Sequence, residues 1–136
     1  MQATETNISP PLTILVVDDN RDICDLLHAF LEARGYRVVE VTDGRKALEA
    51  ALRERPALIF MDLYMPHQDG FITTRLIRRY TELAEIPIIA ISAYGSFGID
   101  SELQREALAT GFNEYITKPL DTKHLENLIK QFIPAA

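Results

Sequence analysis

Five short apolar runs alternate along the chain with stretches whose apolar residues recur at helical spacing, and few folds accept that order. Residues 12–17 form a short apolar run of the kind found in strands buried on both faces. Ile23, Leu26, Leu27, Phe30 and Leu31 then follow the helical period, and Gly35 stands where a helix C-cap is expected. Residues 36–41 are β-branched again, and Ala47, Leu48, Ala51 and Leu52 mark a second helix that Pro56 ends. Residues 57–61 predict a third strand closing on Asp62, and Phe71, Ile72, Leu76 and Ile77 a third helix. Pro87 opens the fourth strand, IIAIS, and Leu103, Ala107 and Leu108 predict a helix ending at Gly111. Residues 112–117 predict the fifth strand, and Leu125, Leu128, Ile129 and Phe132 the last helix. Strands alternating with helices demand a parallel sheet covered on both faces, and right-handed crossovers make it doubly wound. In such α/β sheets a ligand sits outside the C-terminal ends of the strands, where the strand order reverses.

The 136 residues suffice for one domain with a buried core, predicted over 12–134. Residues 1–11, polar and ending in Pro10–Pro11, are expected to be a disordered lead-in. A net charge of −6 carries no nucleic-acid footprint. No apolar run approaches the ~20 residues that span a bilayer, and the N-terminus has no signal-peptide pattern. Cys24, the single cysteine, has no partner within the chain for a disulfide. These features together predict a cytoplasmic protein with no membrane association.

The C-terminal ends of the predicted strands supply Asp18 and Asp19, Asp62, Ser92 and Lys118. Two carboxylates about 4 Å apart near a protein surface repel by roughly 4 kcal/mol, so an acidic trio needs compensation. A hard divalent cation gives it: Mg²⁺ prefers oxygen ligands and keeps positions open for phosphate oxygens. A carboxylate beside such a metal can also act as a nucleophile and form an aspartyl phosphate. Asp62, single and central, suits that role, with Asp18 and Asp19 holding metal. Lys118 then neutralises charge on the phosphoryl group, and Ser92 hydrogen-bonds it.

VVDDN, MDLYMPHQDG, ISAY and YITKP occur in order at those strand ends. With them the chain resembles a response-regulator receiver domain of two-component signalling, from about residue 12 to 133, of the chemotaxis-regulator-like kind. The resemblance implies a flavodoxin-like sheet of five strands in the order 2-1-3-4-5 with five helices. It implies that Asp62 is the phosphoacceptor and that Asp18 and Asp19 bind Mg²⁺ with the backbone carbonyl of Tyr64. Ser92 matches the hydroxyl switch residue, Tyr115 the switch aromatic, and Lys118 the lysine before a cis proline, here Pro119. A histidine kinase or histidine phosphotransfer protein is the implied donor, and a downstream protein is the implied target. On this pattern the protein is not an enzyme beyond catalysing its own phosphoryl transfer and autodephosphorylation. No output domain follows residue 133, which fits a stand-alone receiver or one excised from a longer chain. Gln68 departs from the methionine often found there, Tyr64 and Tyr94 occupy positions that tune phosphoryl lifetime, and residues 94–100 make a long connection.

Other readings compete residue by residue. Asp18–Asp19 could be an Asx turn with Asn20 capping the first helix. Arg75, Arg78 and Arg79 read as a solvated helix face rather than a nucleic-acid patch. His28, His67 and His124 lack metal-ligand spacing, and Cys24 reads as packing. A haloacid-dehalogenase-type phosphatase would separate its aspartates by one residue and add a cap domain. A flavin-binding electron carrier would need a Ser/Thr/Gly-rich phosphate loop in place of NRDICD. A phosphorylation-independent interaction module of the same fold is the remaining alternative, and the acidic trio with its lysine argues against it.

Overall fold

The first strand is apolar on both faces, and this places it inside the sheet. In the computed structural model, which describes residues 10–93 and 100–133, it is flanked on both sides. Residues 1–9 of the expected lead-in, Tyr94 with the rest of 94–99, and residue 134 lie outside the described residues. The strands are β1 (Thr13–Val17), β2 (Arg37–Val41), β3 (Leu58–Asp62), β4 (Ile88–Ser92) and β5 (Glu114–Thr117). The helices are α1 (Arg21–Glu32), α2 (Ala47–Glu54), α3 (Gly70–Arg78), α4 (Asp100–Thr110) and α5 (Thr122–Phe132), with short 3-10 turns at Gly44–Lys46 and Thr81–Leu83. All four strand pairings are parallel and the order is β2-β1-β3-β4-β5, the flavodoxin-like 2-1-3-4-5 arrangement.

Alternate residues of the strands feed two separate cores, as the period of two requires. Leu15, Val17, Ile59 and Met61 meet Ala47, Ala50 and Ala51 of α2, Phe71 and Ile77 of α3, and Ala107 of α4. Ile14, Val16, Leu58 and Phe60 meet Cys24, Leu27 and Leu31 of α1 and Leu125, Leu128 and Ile129 of α5. The site is built where these two-sided strands end.

Several boundaries differ from the apolar pattern. Leu12 lies outside β1 and is 49% exposed, although its carbonyl accepts from Arg37 N–H at 2.9 Å. Phe112 precedes β5 and instead closes α4, donating its N–H to Ala107 O (3.2 Å) while its ring packs edge-on to Phe71. Gly35 lies three residues past the end of α1 with φ +90°, and the N–H of Tyr36 reaches back to Leu31 O. Leu26, Ile72 and Leu108 follow the helical period yet face solvent, an ordinary outcome because surfaces are largely apolar.

Candidate functional site

The sheet ladder continues past each strand end and fixes the residue that follows. Asp18 N–H donates to Val41 O (3.1 Å), Leu63 N–H to Ile91 O (3.0 Å), and Lys118 N–H to Ser92 O (2.8 Å). Asp18, Asp62, Ser92 and Lys118 therefore arrive at one edge in register. Asp18 and Ser92 are fully buried, and Asp62 is nearly so. Asp19 is exposed at the mouth. The Lys118–Pro119 bond is cis.

The turn into α1 has a double use. Asn20 caps the helix by accepting from the N–H groups of Asp22 (2.9 Å) and Ile23 (3.2 Å). Its own N–H donates to Asp18 Oδ1 at 2.8 Å. The Asx turn and the acidic pair thus coexist, and the cap orients one oxygen of Asp18. Cys24 packs in the core beneath and donates its thiol to Asp18 O (3.2 Å), with burial pushing the thiol pKa up to about 11.

Carboxylate oxygens of Asp18, Asp19 and Asp62 lie within 4.8 Å of one another. Lys118 Nζ stands 3.4 Å from Asp18 Oδ2 and 3.9 Å from Asp62 Oδ2. At 3.4 Å this is an ion pair rather than a short hydrogen bond, and Asp18 Oδ2 accepts no hydrogen bond among the described residues. Burial, followed by the negative charge of Asp18, pushes the Asp62 carboxyl up to about 7, with Lys118 and the Tyr64 N–H pulling it back. Asp18 is also raised, by burial first, against the Asn20 N–H and the Lys118 charge. One ammonium does not compensate three carboxylates. A buried oxygen with no hydrogen bond, an all-oxygen donor set and residual repulsion fit a hard divalent cation such as Mg²⁺.

Around this centre, a recess of about 410 Å³ is lined by Asp19, Asn20, Asp62, Tyr64, Ala93 and Lys118. Tyr64 is 47% exposed on its rim, its N–H donates to Asp62 Oδ1 (3.3 Å), and its ring packs edge-on to Phe71. Tyr115 is buried in β5, and its hydroxyl has no hydrogen-bond partner among the described residues. Tyr94, the other expected tuning residue, lies outside the described residues.

Two polar clusters escaped the sequence reading. Gln68 donates from Nε2 to Gly44 O (3.1 Å) and Thr73 Oγ1 (2.9 Å), joining the β2–α2 turn to the β3–α3 loop. Its departure from methionine was the available signal. Arg78 is not on a solvated face: its guanidinium donates to the carbonyls of Gly111, Leu83, Ala84 and Ile86 and to Asn113 Oδ1. Its spacing from Phe71 and Thr74 places it on the inward side of α3, which separates it from the exposed Arg75 and Arg79.

The model of the response regulator receiver domain matches residues 14–130. The polar-differentiation response regulator DivK of Brucella anthropi is 32% identical over 123 residues, covering 90% of this chain and 97% of that protein. A 14.6 kDa protein of Leptolyngbya boryana is 38% identical over 121 residues, 89% of each chain. Among solved structures, the receiver domain of the sensor histidine kinase PA1611 from Pseudomonas aeruginosa PAO1 is 34% identical with a TM-score of 0.81, covering 92% of this chain and 99% of that one. That structure has a magnesium ion coordinated in the active-site cleft.

Proposed function

This chain belongs to the response-regulator receiver family of two-component signalling, and on that premise we propose that Asp62 accepts a phosphoryl group in a Mg²⁺-dependent reaction. The donor is a histidine kinase or a histidine phosphotransfer protein, and the output is a switched surface for a downstream protein. One observation carries the reading: Asp18, Asp19 and Asp62 converge within 4.8 Å with the Lys118 ammonium beside two of them.

In this mechanism Asp18, Asp19, Asp62 and the backbone carbonyl of Tyr64 would hold the metal. Bound Mg²⁺ supplies charge neutralisation to the oxygens of the transferring phosphoryl group. An oxygen of Asp62 forms the new bond to phosphorus as the donor's phosphorus–nitrogen bond breaks, and the electron pair leaves on the imidazole nitrogen. Lys118 lies close enough to Asp62 to meet a phosphoryl oxygen, and its charge stabilises the acceptor carboxylate before transfer. Ser92, at the end of β4, donates its hydroxyl to the product. The protein catalyses this transfer and its own autodephosphorylation and turns over no external substrate. Tyr64 at the rim shields the aspartyl phosphate from in-line water and lengthens its life, and by the family pattern Tyr94 shares that tuning role.

Phosphorylation adds about −1.5 to −2 charges and strong acceptor oxygens. On phosphorylation Tyr115 would be held inward, and in this unphosphorylated chain the residue is already only 8% exposed. The switch is therefore a shift of population: movement of Ser92 toward the phosphoryl group holds Tyr115 inward. The domain is assigned to residues 12–134, after a lead-in. The test is labelling with acetyl phosphate, with Mg²⁺ or with excess chelator. Labelling is expected only with metal, and equal labelling in chelator would overturn the metal role.

A further inference from the structure

The β3–α3 loop, residues 63–69, has to present the Tyr64 carbonyl, and its two ends are tied locally. Tyr64 N–H donates to Asp62 Oδ1 and Gly70 N–H to Leu63 O, at 3.3 and 2.9 Å. Between those ties the loop holds a residue against its own preference: His67 sits at φ +74°, a region that costs a non-glycine residue energy. Gln68 N–H closes that turn on Pro66 O at 2.9 Å, and a contact from outside the loop is needed to fix where the turn sits in the fold.

Gln68 supplies the outside contact. Its side-chain amide spends one bond on Gly44 O and one on Thr73 Oγ1, and the Thr73 hydroxyl passes its own proton to Asp69 O at 2.9 Å. Gly44 and Thr73 are buried, so water does not readily replace these partners. The main chains interlock as well: a Cβ added at Gly44 would lie 2.3 Å from Gln68 O and 2.9 Å from Thr73 Oγ1. A methionine here would fill the space and donate nothing. The turn that ends β2 and the loop that borders Asp62 are thus one unit, joined by the Gln68 amide and by close backbone packing at Gly44.

We propose that Gln68 is a positioning residue for metal binding: its amide pins the β3–α3 loop to the β2–α2 turn and so fixes the Tyr64 carbonyl. This rests on the metal reading given above. A second consequence is directional. Any contact that moves the β2–α2 turn, which also carries the exposed Arg45 and Lys46, moves the metal-binding loop.

The test measures Mg²⁺ affinity of the unphosphorylated full chain by calorimetry for the native protein, Gln68→Met, Gly44→Ala and the double variant. Denaturation in chelator records any loss of fold separately. Each single variant is expected to weaken Mg²⁺ binding about threefold to tenfold, the size of one neutral hydrogen bond. The double variant is expected to be no weaker than the worse single one, because both break the same link. A merely structural role would lower stability and leave the affinity of the folded protein unchanged. Affinities within twofold of the native value in both folded single variants would overturn the proposal. Absence of Mg²⁺ binding by the native protein would instead remove the reading beneath it.

Discussion

Asp62 is held in a state that favours its neutral form, and this has a measurable sign. Its folded pKa is raised from 3.8 to about 7, chiefly by burial and then by Asp18. The folded protein therefore holds a proton that the unfolded chain has released, and stability falls as pH rises from about 4 through about 7. Replacing Asp62 with Asn removes that loss. In chelator at pH 8, Asp62→Asn is expected to be the more stable protein, on the order of a few kcal/mol, the shift being shared with Asp18. At pH 4 the difference should largely vanish. Urea midpoints at the two pH values decide it, and equal midpoints at pH 8 would contradict the electrostatic account. Mg²⁺ should narrow the gap by stabilising the native chain selectively.

At the scale of elements, Arg78 shows what periodicity leaves out. Its five acceptors belong to the segment after α3 and to the α4–β5 connection, so one side chain on α3 ties together two segments distant in sequence. Gly111 completes the fit: it has φ +129°, and a Cβ there would meet Arg78 Cγ at 3.0 Å. Arg78→Met keeps the stem and strands the carbonyls, and a loss of about 3 kcal/mol or more is expected. Hydrogen exchange should quicken in β4 near Ile88, whose N–H is held by Asn113, and around Gly111. Unchanged exchange at both places would show that the bonds are dispensable. Sequence spacing placed each helix because apolar faces are regular. It mistook Arg78 for a solvated residue because an arginine satisfied by backbone carbonyls has no counter-ion to betray it. Leu12 and Phe112 were misplaced for a related reason: an apolar residue marks burial or its neighbourhood, not the hydrogen-bond ladder.

At the scale of the whole molecule, the site was legible because topology does the assembling. Asp18, Asp62, Ser92 and Lys118 are scattered over a hundred residues, yet parallel strands put all their C-terminal ends on one edge. The acidic trio and lysine could be read from the residues that close the predicted strands. The Asn20 cap was readable from its side chain. The Gln68 link was not, since it depends on a turn and a loop that are neighbours only across the folded sheet. The depth of burial at Asp62, and with it the raised pKa, also had to come from three dimensions.

The central claim is that this edge delivers a phosphoryl group to one carboxylate. Its most direct test is mass mapping of the chain after incubation with acetyl phosphate and Mg²⁺. The account predicts a single phosphoryl group, carried on the peptide that contains Asp62 and absent from Asp62→Asn. A phosphoryl group on any other residue of the native protein, or full labelling of Asp62→Asn, would contradict it.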